Sequence, residues 1–405
     1  MTLRDSHALY RQAMFGWCNF ALAVPAVYLW LGLPLLMREH GWSGTDIGLY
    51  MLTGMPAVLK FALAAPVERR RHGAPRYKVW VLALNAGVIL ILGWLAWQGQ
   101  TLLEQRGYLY GLALTAGLLL TWADIPLNAL AIRLIPVHQR LLAGSIRSGA
   151  MSLGAITGGG LMLLVQSRWG WQAPFMLMMV ALGSAIALLL PALQGRQEPA
   201  PPQGTIKNIW LGYFGQDGSG LWNCLLLLFF PCLAAAWLYL KPLLLDHGFS
   251  VEQAAWIAGV GGGTVAAIAS LLCGRLAAHL GIVRTVQRVA LLGLLALLTL
   301  TAAVAIPAAG MLTLPGVVLL SAAMGMAAAL TFGLMMHFSR ARARATDYGI
   351  QASLFALGRL LVATAAGMLL DLWGYPGLLS VLMLAMLAVT LLCRYGAHAW
   401  KHALC

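Results

Sequence analysis

Two stretches decide the fold: PLLMREHGWS at 34–43 and PLLLDHGFS at 242–250. Each closes one long apolar run and opens another. In the first, Pro34, Leu35 and Leu36 lead through a short polar step to His40, Gly41, Trp42 and Ser43. In the second, Pro242, Leu243 and Leu244 lead to His247, Gly248, Phe249 and Ser250. Both serines then begin a capping box, Ser43-x-x-Asp46 and Ser250-x-x-Gln253. In that motif the hydroxyl satisfies a free N–H at the start of a helix. One run later the match repeats: Pro66-Val67-Glu68-Arg69 through Gly73, and Gly274-Arg275-Leu276-Ala277 through Gly281. Turn and polar positions recurring in the same order predict two halves of like construction.

Outward from these points the chain reads as a series of apolar runs, at 13–37, 46–67, 77–98, 107–132, 142–165 and 172–193, then 218–244, 251–273, 284–306, 314–337, 348–370 and 376–394. A spanning helix needs ~20 mostly apolar residues, so these are twelve spans. Composition agrees: 61% of the 405 residues are hydrophobic and 9% charged, with a mean hydropathy of +0.81. Soluble domains carry about 25% charged residues, so this chain lacks the polar surface to face water all round. The longest polar break, Gln194 to Asn208, holds Pro199, Pro201 and Pro202 and no apolar periodicity. The expected class is an all-α membrane protein, twelve transmembrane helices in two pseudo-symmetric six-helix bundles. The expected domains are 1–193, a cytoplasmic linker at 194–212, and 213–405.

The formal net charge of +14 could suggest nucleic acid, so its placement matters. Most of the Lys and Arg fall in every second loop, at the termini or at adjoining helix ends: Arg70, Arg71, Arg76, Lys78, Arg133, Arg140, Arg275, Arg284, Arg340 and Arg394 among them. The alternate loops hold Arg38, Arg106 and Arg168. This is the positive-inside pattern, and it puts both termini and the linker in the cytoplasm. No soluble basic face remains for nucleic acid. Cysteines 18, 224, 232, 273 and 393 lie in or beside spans without metal-ligand or oxidoreductase spacing. The glycine clusters Gly154 with Gly158 and Gly259 with Gly263 have the small-x-x-x-small spacing of close helix packing. No P-loop Gly-Lys-Ser/Thr is present, so neither an ATP-driven pump nor an enzyme is indicated, and no metal or cofactor is expected.

The segment Pro66–Lys78 resembles the signature of the major facilitator superfamily. Glu68 stands for its acid, Arg69 for its arginine, Gly73 for its glycine, and Arg76 with Lys78 for its basic end. The spacing is stretched, and Glu replaces Asp. The second copy keeps Gly274, Leu276, Ala277 and Gly281 but has Ala278 and His279 for the acid and base. A narrower resemblance, to the muropeptide permease branch and its ferric-siderophore relatives, rests on several stretches. These are Gly54-x-Pro56-x-x-x-Lys60-Phe61, Ala65-Pro66-x-Glu68-Arg69, Asp124-Ile125 with Asn128, Arg147-x-Gly149, Gly170-Trp171-Gln172-Ala173 and Ala345-Thr346-Asp347-Tyr348. Asn128 stands where muropeptide permeases tend to have Asp, and the helix-eleven start is closer to the siderophore branch. The resemblance implies the major facilitator fold and a monomeric secondary transporter of the bacterial inner membrane. It also implies a small-molecule substrate, protons as the coupling ion and alternating access. A siderophore or its iron complex is the preferred solute and a muropeptide-like one second. Efflux of drugs or metabolites is the alternative.

Ionisable groups within a membrane are costly, ~2.5–3.5 kcal/mol on insertion scales, and five stand out. Lys60 and Asp124 share a depth of ~10–12 Å from one end of their helices at 1.5 Å per residue, and Arg147 enters from the same side. With Glu68 and Arg69 nearby, they form the expected gating and coupling cluster, either a static bridge or a gate that breaks as the halves rock. Lys241 lies near the other end of helix seven, where it snorkels or faces a cavity mouth. Arg359 falls near the midplane of helix eleven, out of reach of water, so it either pairs with Gln351 or helix-end carbonyls or faces the cavity. Both would favour an anionic ligand. Asn19, Asn128, Asn223 and Gln351 complete the expected binding set, because the superfamily lines its cavity with their helices. Each is also a candidate for an interhelical hydrogen bond.

Overall fold

The computed structural model describes residues 3–69, 76–191 and 206–396. Among them there is no strand, and eleven helices are long and apolar enough to cross a membrane. In chain order they are α1 (Leu9–Glu39), α2 (Thr45–Glu68), α3 (Tyr77–Gln98), α4 (Arg106–Leu134), α5 (Val137–Trp169) and α6 (Gln172–Leu189). There follow α7 (Ser219–Asp246), α8 (Glu252–Leu280), α9 (Ile282–Ala305), α10 (Gly310–His337) and a stretch of 52 residues, Arg344–Tyr395. Within that last stretch Gly374 has φ 63° and ψ −169°, left-handed backbone that only glycine adopts cheaply. It is therefore two helices, α11 (344–373) and α12 (375–395), and the chain is a multi-pass membrane protein.

The repeated turns are built as the sequence spells them. Ser43 Oγ accepts from the Asp46 N–H at 3.1 Å, while the Ser43 N–H donates to Asp46 Oδ2 at 3.2 Å. In the second half the Gln253 N–H donates to Ser250 Oγ at 3.1 Å, and the Ser250 N–H to Gln253 Oε1 at 2.9 Å. Gly41 (φ 77°) and Gly248 (φ 86°) make the preceding reversals.

The spans are not uniform α-helix. Pro25 in α1 is followed by a π turn at Tyr28–Gly32, and Pro56 sits inside a 3₁₀ stretch at Leu52–Leu59 of α2. A proline has no N–H to give the helical ladder, and irregular turns are the usual adjustment. Further π turns occupy the glycine runs at Thr157–Leu161 and Ala255–Gly261.

Two compact units emerge. The first comprises Met1–Val137, Leu153–Trp210 and Ser339–Ser353; the second comprises His138–Ser152, Leu211–Phe338 and Leu354–Cys405. The chain thus divides near 210, but the start of α5 clusters with the second unit and the start of α11 with the first. Small residues make both placements possible. A Cβ on Gly144 would meet the Gly333 nitrogen at 2.3 Å, and one on Gly349 would meet Ala64 Cβ at 2.6 Å and the Lys60 carbonyl oxygen at 2.8 Å.

In the first unit the Gly154–Gly158 pair lets α5 approach α1 as its spacing predicts, and a Cβ on Gly158 would lie 2.4 Å from the Val24 carbonyl oxygen. In α8 the tight position is Gly262, against Trp237, whereas Gly259 faces the Lys241 ammonium. The π turn at Ala255–Gly261 rotates the glycine face away from the simple four-residue spacing. A linker was expected to reach 212, but Ile206–Phe214 is helical, with Ile209 and Tyr213 buried four residues apart. Residues 192–205 lie outside the described part of the chain.

Candidate functional site

In the first unit, the end of α2 meets the start of α11 through a set of polar contacts, here termed the clasp. Lys60 begins the α-helical part of α2 after the Pro56 stretch, and its ammonium lies 2.5 Å from Asp124 Oδ2 on α4. Both side chains are mostly buried, at 15% and 16% exposure, so each ion needs the other. Removing one partner of a buried pair typically costs about 3–5 kcal/mol.

Tyr348 on α11 donates its hydroxyl to the same Asp124 oxygen at 2.8 Å, and Lys60 stands 6.0 Å from the Tyr348 ring centre. Asn128, one turn beyond Asp124 and fully buried, donates to Asp124 Oδ1 at 2.8 Å and to its carbonyl at 2.7 Å. Asp124 is thus held by an ammonium, a phenol and an amide at once. The Phe61 N–H donates to Ser353 Oγ at 2.9 Å, which fixes the next turn of α11 on α2.

Glu68 completes the clasp. It is 1% exposed and accepts from the Ala345 N–H at 2.7 Å, the Thr346 N–H at 3.1 Å and the Tyr77 hydroxyl at 3.2 Å. The first N–H groups of any helix lack intrahelical partners and carry the positive end of its dipole. A buried carboxylate on two of them is therefore a charge-assisted cap. The side chain of Arg69, like Arg70, Arg71 and Gly73, lies outside the described residues.

Behind the cap, Arg340 grips the buried Asp347 with two prongs at 2.7 and 2.8 Å. The Nη2 that meets Asp347 Oδ1 also donates to the Ile209 carbonyl at 2.8 Å. Gln351, also buried, donates to Ser339 Oγ at 3.2 Å and to the Asp347 carbonyl at 3.1 Å. Of the expected binding set, Asn128 and Gln351 thus have their amides engaged around the clasp. Asn19 is buried and donates to the Phe15 carbonyl at 2.8 Å.

The second unit holds the other expected residues. Arg147, near the start of α5, is 5% exposed and stacks over Phe332 of α10 at 4.3 Å. Arg359 is exposed and lies 6.0 Å from the Phe355 ring centre, one turn back on α11. Lys241 is exposed, with its ammonium 3.9 Å from where a Gly259 Cβ would sit. Asn223 accepts from the Tyr213 hydroxyl at 2.7 Å.

Sequence reasoning left out Tyr348, Ser353, Arg340 and Asp347 as site residues. The only signal was the run Ala345-Thr346-Asp347-Tyr348. Periodicity could not tell that its tyrosine reaches α4 and that its first amides meet Glu68.

Residues 14–363 match the family model described as Major Facilitator Superfamily. Over 371 residues the chain is 25% identical to the anhydromuropeptide permease of Escherichia coli K12, covering 85% of this chain and 73% of that protein. Among solved structures it resembles a bacterial homologue of the iron transporter ferroportin in its outward-facing state, with TM-score 0.76 and 15% identity, covering 96% of this chain and 99% of the other. It also resembles the transporter FucP in its outward conformation, with TM-score 0.73 and 15% identity, covering 95% and 98%.

Proposed function

We propose, since this chain belongs to the Major Facilitator Superfamily, that it is a secondary importer of a small organic anion across a bacterial inner membrane. In this reading it works as a monomer by alternating access. The observation that carries the mechanism is the clasp: Lys60, Asp124, Tyr348, Glu68 and the first amides of α11. Every contact in it is polar or ionic, so it can be exchanged for water when α11 withdraws from α2. An apolar seam would resist that exchange. The basic loops flanking this end support a cytoplasmic placement. Asp124 is the carboxylate best situated to take a coupling proton, since protonation removes the charge that holds Lys60.

The anionic character of the solute is supported by Arg359. Among the described residues it makes no hydrogen bond or ion pair, and a guanidinium does not give up its charge in proteins. The likeness to a curated anhydromuropeptide permease moves a muropeptide-like solute ahead of a siderophore. The siderophore reading keeps the support of the Thr346-Asp347-Tyr348 start of α11.

The test is uptake into proteoliposomes holding purified protein. A labelled anhydromuropeptide and a labelled ferric siderophore are offered separately, with and without an inward proton gradient. Saturable, gradient-stimulated accumulation of either supports import of that solute. Accumulation driven only by an oppositely directed gradient would favour efflux.

A further inference from the structure

Three phenylalanines from three helices of the second unit form a continuous aromatic path. Phe230 of α7 and Phe355 of α11 have ring centres 5.1 Å apart, and Phe332 of α10 lies 5.9 Å from Phe355. All three rings are only half-buried. Two of its rings carry a guanidinium: Arg147 lies over the terminal Phe332 at 4.3 Å, and Arg359 beside the central Phe355 at 6.0 Å. Along α5, Arg147 lies about 10 Å beyond Arg140, while Arg359 lies about 22 Å beyond Arg344 along α11, at 1.5 Å per residue. The two charges therefore stand at different depths, joined by rings.

Arg359 is exposed, yet it does not sit on the lipid side of its helix. It shares a face with Phe355, which packs against α7 and α10, and its neighbour Gly358 rests on the Leu227 backbone of α7. Its exposed surface thus lies on the face that α11 turns toward α7 and α10.

We propose that Arg359, Phe355, Phe230, Phe332 and Arg147 form one binding track for an organic anion that carries both a carboxylate and a ring with an apolar face. The carboxylate pairs first with Arg359. The ring lies against Phe355 and Phe230, which offer a flat surface to an aryl group or to the C–H face of a sugar. Arg147 is the second guanidinium the anion meets, one ring further along at Phe332. Arginine suits both positions, because its planar fork matches a carboxylate with two parallel bonds and also stacks on aromatic faces. This inference rests on the reading of the chain as an anion importer and adds the ring requirement and the role of Arg147.

Purified protein in detergent would be titrated with two radiolabelled probes, a 1,6-anhydromuramyl tripeptide and 2,3-dihydroxybenzoate, and binding read by scintillation proximity. The first probe offers a sugar ring and the second an aryl ring, so the arms tell the two apart. Phe355→Leu keeps the apolar volume and removes the flat face. It is expected to weaken the preferred probe about tenfold, and Arg147→Gln by a similar factor, with Arg147→Lys recovering part. Monodispersity on gel filtration establishes that each variant is folded; should Arg147→Gln fail that control, Phe332→Leu replaces it, with the same tenfold expectation. Wild-type protein that binds while Phe355→Leu and the Arg147 or Phe332 variant stay within twofold of it would overturn the track alone. Wild-type protein that binds neither probe would overturn the track together with the anion-import reading beneath it.

Discussion

Asp124 concentrates three interactions on one carboxylate: the Lys60 ammonium, the Tyr348 hydroxyl and the Asn128 amide. Lys60→Ala or Asp124→Ala alone leaves a charge buried without its partner, at a cost of about 3–5 kcal/mol. Each single change should sharply reduce either membrane abundance or uptake. The swapped pair, Lys60→Asp with Asp124→Lys, should regain a measurable fraction, because opposite charges again meet. Normal uptake by both singles, at matched abundance, would remove the pair from gate and scaffold alike. Tyr348→Phe is a gentler probe. It deletes one neutral donor to a carboxylate, worth about 1.5–3 kcal/mol, and should loosen the clasp without leaving a lone charge. Faster solute release with near-normal abundance is the expected outcome in an efflux-from-vesicle assay. Arg359→Gln should raise the half-saturation for uptake strongly at near-normal abundance. Arg359→Lys should recover only part, since an ammonium cannot make the two-pronged carboxylate contact. An unchanged half-saturation in Arg359→Gln would return this arginine to a packing role.

At the scale of the helix, glycine governs which elements can touch. The start of α11 lies on α2 because Gly349 puts no Cβ between its backbone and the Lys60 carbonyl. Gly349→Val would push the two apart by more than a side-chain rotation can absorb, pulling Tyr348 from Asp124 and the Ala345 amide from Glu68. Its unfolding midpoint should fall by several degrees and uptake should be largely lost. Gly183→Ala, with open space around it, should be silent in the same assays. An unaffected Gly349→Val would mean that α11 does not depend on this approach. The helices themselves were legible in the sequence, because apolar runs of spanning length and the paired turns at Ser43 and Ser250 are local signals. The partnership of Lys60 with Asp124 was legible too, through equal depth on neighbouring spans. What contacts α11 makes was not, since Tyr348, Ser353 and Glu68 meet only once three distant segments are packed. Gln351 shows the same limit: its hydrogen bonds to Ser339 and the Asp347 carbonyl could not be read from its place on a polar-bearing helix. The π and 3₁₀ turns shift the facing residues locally, which is why Gly262 rather than Gly259 takes the close approach in α8.

At the scale of the whole chain, the decisive property is which end of the helices faces the cytoplasm. Every function assigned to the clasp depends on it. The loops between α2 and α3, α4 and α5, α8 and α9, and α10 and α11 share one end if every span crosses, and most of the Lys and Arg lie at that end. Basic residues near short loops resist translocation, whereas acidic ones contribute little, so this count outweighs the positions of Glu68 and Asp347 at the same end. The opposite end carries Arg38, Arg106 and Arg168, and Arg106 is already held by Asp46 at 2.7 Å. The prediction is that a reporter fused after Gly204, between the two halves, reads cytoplasmic, while one fused after Gln166, late in α5, reads periplasmic. A paired alkaline phosphatase and green fluorescent protein assay gives each position both a positive and a negative signal. The clasp would then lie on the cytoplasmic side, as its proposed role in an importer requires. Were both fusions to report the same side, one helix between them would fail to cross. Were they to report the reverse, the clasp would become the outer gate and the direction of transport would have to be argued afresh.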